Sequence, residues 1–279
     1  MDTFNHIASA IFGVLLAPFG QEKNWSAWID VILWSVGGGI VALLVYKYVS
    51  NQKGIARTKN DIKVHLLEVR LFKDDILGVF VATGKILAKN AVYLAHNLLP
   101  MVVMLVPMMA ILVQLVSTYA FVPAEPGETK LLKVKLDGAV ASTAGLTAAD
   151  VELELPPGVV LEVPGVPTAQ GEIAWRLRAE EPGDHVITIR VGDEVLEKGL
   201  AVGGEPRRVP VMRTKSWEAL LFPTEAPIPS GSAVHTAGFT YESRDLGWMP
   251  GGELGILLVF FGLSLLAGIA LKGVFKVTL

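Results

Sequence analysis

The sequence predicts a membrane α-helical protein that carries an inserted all-β domain, and three observations lead there. Residues Leu98–Val122 run for 25 positions without a charged side chain. Charge is divided along the chain: residues 47–100 hold nine Lys/Arg against four Asp/Glu, whereas residues 123–250 hold twelve against nineteen. Within the acidic part, apolar residues stop recurring at a helical period and begin to alternate strictly.

As a helix, Leu98–Val122 covers about 37 Å at 1.5 Å per residue, enough for a hydrocarbon core of about 30 Å. Lipid offers no partners to backbone N–H and C=O, so a segment that crosses it is helical. Residues 98–122 are therefore read as the second of three transmembrane helices. The first is 25–48, with Trp25, Trp28 and Trp34 toward one end and Tyr46 and Tyr48 at the other, as in aromatic belts. Asp30 falls in its opening turns, and Gly37–Gly39 forms a smooth patch that lets a second helix approach. The third is 252–273, built on the uncharged run Leu254–Leu271 and followed by a short tail, 274–279. Ahead of the first span, Phe4–Phe19 is apolar but short and ends at Pro18 and Gly20, so residues 1–24 are read as a helix lying in the membrane interface.

Residues 49–97 are basic and amphipathic. Ile62, Leu66, Val69 and Ile76 recur at helical spacing, Arg57 and Asp61 stand four apart, and Asp74–Asp75 divides the stretch in two. This predicts a cytoplasmic helical pair, with its second arm along the membrane surface. Its basic surface comprises Lys53, Arg57, Lys59, Lys63, Arg70 and Lys73. The positive-inside rule puts that cluster in the cytoplasm, which leaves the N-terminus outside. Lys272 and Lys276 return the C-terminus to the cytoplasm, and residues 123–251 become extracytoplasmic.

Seven alternating runs follow the second span: 130–136, 151–156, 159–164, 172–179, 185–192, 194–203 and 207–214. Pro, Gly or Asp turns bound them. Short strands at this spacing suggest an antiparallel sandwich of immunoglobulin-like type over residues 123–214, with Trp175 at its buried centre. Residues 215–251 are rich in Pro, Gly and Ser; they carry one more strand signal at Ala233–Tyr241 and the aromatic anchors Trp217, Phe222 and Trp248.

Few signals of catalysis appear. The chain has no cysteine, which removes disulfides, thiolate metal sites and cysteine nucleophiles. His6, His65, His96, His185 and His235 form no metal-ligand spacing, and no phosphate-binding loop or nucleophile elbow is present. The expectation is a non-enzymatic protein with no cofactor, no metal and no DNA partner. The basic cluster serves as a topology determinant, or it contacts anionic lipid or the RNA of a ribosome through phosphate charge. Interleaved Asp61, Glu68, Asp74 and Asp75 weigh against the latter two.

The order of parts resembles the YidC-type insertase superfamily, particularly its minimal three-span archaeal and endoplasmic-reticulum members. The matching pieces are the interfacial segment Phe4–Phe19, the span Trp25–Tyr46, the charged helices opening with NQKGIARTKNDIKVHLLEVRLFKDD, and the two later spans. The resemblance implies a hydrophilic groove between the spans that eases polar parts of an incoming protein through the bilayer. Polarity within the spans nominates Asp30, Ser35, Lys47, Gln114, Ser117, Thr118 and Ser264 as groove-lining groups. The implied protein is an inner-membrane insertase or chaperone in a bacterium, with membrane proteins as clients. The alternative is a non-catalytic structural or anchoring subunit that presents the β domain to a periplasmic partner.

Overall fold

The computed structural model describes residues 24–168 and 171–277. The expected interfacial helix at Phe4–Phe19 lies outside the described residues. Among the described residues, three helices are long and apolar enough to cross a membrane: α1 (Asn24–Val49), α3 (Ile76–Tyr119) and α5 (Gly252–Leu271). Between the first two lies α2 (Gln52–Leu71), and between the last two lies an antiparallel β region. By length and composition this is a membrane protein with a helical part and a β part.

The chain forms two compact units. Among the described residues, the β unit comprises 24–31 with Leu112–Val259, and the helical unit comprises Ile32–Ile111 with 260–277.

In the helical unit, α2 starts at Asn51, whose side chain accepts from the Gly54 amide at 2.9 Å and satisfies one of the orphan donors of a helix start. Asp75 does the same for α3 by accepting from the Gly78 amide at 3.1 Å. Between these caps, Lys89 of α3 donates to Asp61 of α2 at 2.7 Å. That bond lowers the Asp61 carboxyl below its ordinary range, with the nearby charges of Lys89, His65 and Arg57 adding to it. The expected pairing of Asp61 with Arg57 along one helix thus gives way to a bond between helices.

The second arm differs from expectation. Instead of a surface-lying piece followed by a separate span, residues 76–119 are one helix of 44 residues, about 66 Å long. The last charged residue before the span is Lys89, no stop signal lies between it and Leu98, and Pro100 and Pro107 both lie inside the helix. Loss of charge marks where lipid can begin, and helix ends are set by other signals.

The β unit has a five-stranded sheet in the order β3-β4-β1-β8-β7 and a three-stranded sheet in the order β2-β5-β6. The strands are β1 (Thr129–Leu136), β2 (Val151–Glu154), β3 (Val159–Pro167), β4 (Glu172–Ala179), β5 (Gly183–Val191), β6 (Glu194–Val202), β7 (Met212–Thr214) and β8 (Val234–Phe239). Alternation sends Leu132 and Val134 of β1, and Ile173, Trp175 and Leu177 of β4, into one core with Ile187, Ile189, Leu196 and Leu200 of the other sheet. Trp175 is 4% exposed within it. β7 is much shorter than the alternating run 207–214, because Pro210 has no N–H to give a ladder. A seven-residue helix, α4 (Gly138–Ala144), goes beyond the sequence reading. Asp137 caps its start by accepting from the amides of Ala139 and Val140, and Gly145 ends it in the left-handed conformation at φ 68°.

Candidate functional site

Each unit contains one concentration of polar and apolar groups that the sequence alone does not assemble. In the helical unit, α1, α3 and α5 enclose an open cavity of about 490 Å³. Gly39, Ala42, Leu43 and Tyr46 supply one wall. Tyr93, Asn97, Met101, Met104 and Met108 supply a second, and Ser264, Leu265 and Gly268 a third.

Glycine permits the close helix contact beside this cavity. A Cβ on Gly39 would stand 2.5 Å from the Ser264 carbonyl oxygen, and one on Gly38 would stand 3.0 Å from the Phe260 ring. At this contact the Ser264 hydroxyl donates to the Ser35 carbonyl at 2.7 Å. The Tyr46 hydroxyl donates to Asn97 Oδ1, and Asn97 Nδ2 donates to the Tyr93 carbonyl at 2.6 Å. The Ser264 and Tyr46 hydroxyls and the Asn97 amide are thus turned toward protein partners, and most of the remaining surface is hydrocarbon and thioether. Such a volume falls within the usual range for a ligand pocket. Methionine, flexible and polarizable, suits a wall that must fit differing apolar shapes.

In the β unit, the ends of α1 and α3 meet loops of the β region around Tyr119, which is fully buried. Its hydroxyl donates to Asp30 Oδ2 at 2.8 Å, and the Arg244 guanidinium lies 6.0 Å from its ring centre. Arg208 donates from Nε to the Thr118 hydroxyl at 3.0 Å. Burial holds both arginines below their ordinary range. Asp30, at 0% exposure, is therefore a buried acid with a neutral donor beside it and two guanidinium groups around that donor.

The seven residues nominated as groove lining divide between the units: Ser35, Lys47 and Ser264 belong to the helical unit, and Asp30, Gln114, Ser117 and Thr118 to the β unit. Ser264 lines the cavity. Ser35 is buried and receives its hydrogen bond, while Lys47 is half-buried and lies 5.9 Å from the Tyr48 ring centre. Asp30, Gln114 and Thr118 are buried in the β unit, and the Ser117 hydroxyl bonds back to the Gln114 carbonyl of its own helix at 3.0 Å. Ser264 is thus the nominated residue found on this cavity's wall, most of whose surface is apolar. The six residues of the basic surface, Lys53, Arg57, Lys59, Lys63, Arg70 and Lys73, are all exposed.

Sequence reasoning missed Tyr46, Tyr93, Asn97, Tyr119, Arg208 and Arg244. A signal existed for the last three: a carboxylate within a span calls for a partner. Among the described residues, no three His, Cys, Asp or Glu gather as a metal would require. Compared with known proteins, the chain matches no family model, no curated protein and no solved structure.

Proposed function

We propose that this chain is an insertase-like or chaperone-like protein of a bacterial inner membrane, which receives apolar segments of other membrane proteins during their insertion or assembly. The observation that carries this reading is the open, methionine-lined cavity of about 490 Å³ in the unit that also holds the basic helical pair. An apolar segment seated there exchanges lipid or water for fitted hydrocarbon, at about 25 cal/mol per Å² for surface taken from water. The helical pair adds a second apolar surface. Leu77, Phe80, Val81 and Leu87 of α3 are 75, 72, 51 and 66% exposed, and Val64, Leu67 and Leu71 of α2 are 53, 55 and 74% exposed. With seven basic residues between Lys53 and Lys85, that surface suits a segment arriving from the cytoplasm.

In this reading the N-terminus lies outside, the C-terminus is cytoplasmic, and residues 123–251 form an extracytoplasmic domain of immunoglobulin-like type. Single cysteines at Ser50 and Ser142 then label from opposite sides of the membrane; labelling from one side overturns the arrangement. For the activity itself, a photo-crosslinker at Met104 is expected to capture nascent transmembrane segments, whereas one at the 69%-exposed Val106 is not. Equal capture at both positions removes the cavity from the mechanism.

One observation favours a second reading, a structural subunit anchoring the β domain. The Ser35–Ser264 bond and the glycine contact beside it hold α1 closely against α5. Native purification separates the two: a stoichiometric complex supports the subunit, and a protein free of fixed partners supports the insertase.

A further inference from the structure

Strand β3 forms one edge of the five-stranded sheet, and β4 is its neighbour there. Eight consecutive residues, 160–167, are exposed. An edge strand offers unpaired N–H and C=O groups, which proteins usually guard with Lys, Pro or a bulge. Here the guard is uneven. Pro164 and Pro167 both lie in the second half, while register shifts fall between Leu161 and Val163 and again between Val163 and Val166. The first half, Val-Val-Leu-Glu-Val at 159–163, has neither Pro nor Lys, and Val160, Leu161 and Val163 are 38, 43 and 37% exposed. In that second half, Gly165 rests on the Trp175 indole so closely that an added Cβ would lie 2.7 Å away.

Charge beside the edge runs against the rest of the domain. Val160 stands opposite Arg178, and Val163 opposite Arg176. Lys133 and Lys135 of β1 share the same outward face, so four of the twelve cations in residues 123–250 gather on one surface of an acidic stretch. Both guanidinium groups reach across to β3, where Glu162 lies 3.4 Å from Arg176 Nε and 3.2 Å from Arg178 Nη1. Glu180 lies 3.5 Å from Arg178, and Glu172 lies 3.9 Å from Lys133. Even so, Arg176 and Arg178 remain 56 and 43% exposed, open to a further carboxylate.

We propose that the first half of β3 is a docking edge for an extended peptide segment of alternating apolar and acidic residues. The segment adds as a sixth strand beside 159–163. Its backbone pairs with the free edge, its apolar side chains cover Leu161, which stands opposite core residue Leu177, and its carboxylates, on the other face, meet Arg176 and Arg178. This concerns the β domain alone and is independent of the cavity's role.

The test uses the full chain in lipid nanodiscs and a short fluorescent peptide alternating valine and aspartate. The expected result is saturable binding, at least about tenfold tighter than for the valine–lysine counterpart, with slowed amide exchange at 159–163. N-methylation of the peptide backbone is expected to abolish binding, and Leu161→Lys and Arg178→Glu to weaken it. Equal binding of both charges, retained binding of the N-methylated peptide, no peptide binding, or binding to vesicles of anionic lipid alone would each overturn the proposal. The N-methylated peptide decides the matter even if a variant fails to fold.

Discussion

The β unit buries charges, whereas the helical unit buries hydroxyls. Asp30, Lys130, Lys198, Lys215 and Arg244 are all nearly inaccessible in the former; among the described residues of the latter, the buried polar side chains are Ser35, Thr58 and Ser264. Backbone chemistry explains the difference. Loops and strand ends leave carbonyls free to solvate a buried ammonium: Lys198 donates to the Pro210 carbonyl and to Glu225, and Lys215 to the Ser232 carbonyl and to Asp137. Helix carbonyls are already spent on their own ladder, so a hydroxyl sharing one carbonyl, as Ser264 does, is what such packing tolerates. A functional surface built only of helices therefore turns apolar inside and wears its charges outside.

Breaking the buried Lys198–Glu225 pair is expected to have the largest effect. Glu225→Ala leaves an ammonium with no carboxylate in a site that burial already disfavours, at a cost of about 3–5 kcal/mol. Lys198→Met with Glu225→Leu is expected to recover most of it. Thermal unfolding of the three proteins checks both statements, and equal losses in single and double variants would contradict the account.

Next comes the glycine contact of the helical unit. Gly39→Ala drives a methyl into the Ser264 carbonyl and is expected to cost about 1–3 kcal/mol, whereas Gly37→Ala meets nothing within 4 Å and should be neutral. Similar melting shifts for the two would show that the contact is looser than described. Tyr119→Phe removes the donor from buried Asp30 and is expected to cost about 1–3 kcal/mol. Repeating it on an Asp30→Leu background sharpens the comparison, since most of that cost should vanish.

The smallest effect is a pH dependence confined to the helical pair. The Asp61 carboxyl lies below its ordinary value in the folded protein, so its bond to Lys89 contributes fully above about 3.9, the unfolded value. The contribution fades as pH falls through the lower, folded value. Lys89→Met should flatten that part of the stability profile, and an unchanged profile would rule the bond out as its source.

Much of the architecture was legible in local pattern. β4 occupies 172–179, the same residues as its alternating run, because one buried face enforces a period of two. The three apolar helices were legible for an equally local reason, a run of side chains that lipid accepts. The continuity of α3 through Leu98 was not, because charge along 76–97 reports what surrounds a helix and says nothing of where it ends. α4 was signalled by Asp137 and Gly145, yet seven residues give too little periodicity to be noticed. The candidate sites were less visible still. Tyr119 and Asp30 are 89 residues apart, and nothing near Asp30 names its partner.

The sequence by itself determined where lipid-compatible helices form, where alternation forces strands, and how charge is shared along the chain, since each depends on neighbours within a few residues. Tertiary structure alone decided that Tyr119 pairs with Asp30 and Tyr46 with Asn97, that the cavity wall is mostly apolar, and that β3 remains at an edge. Those outcomes depend on which distant atom reaches a hydrogen-bonding group first, and chain order does not encode that distance.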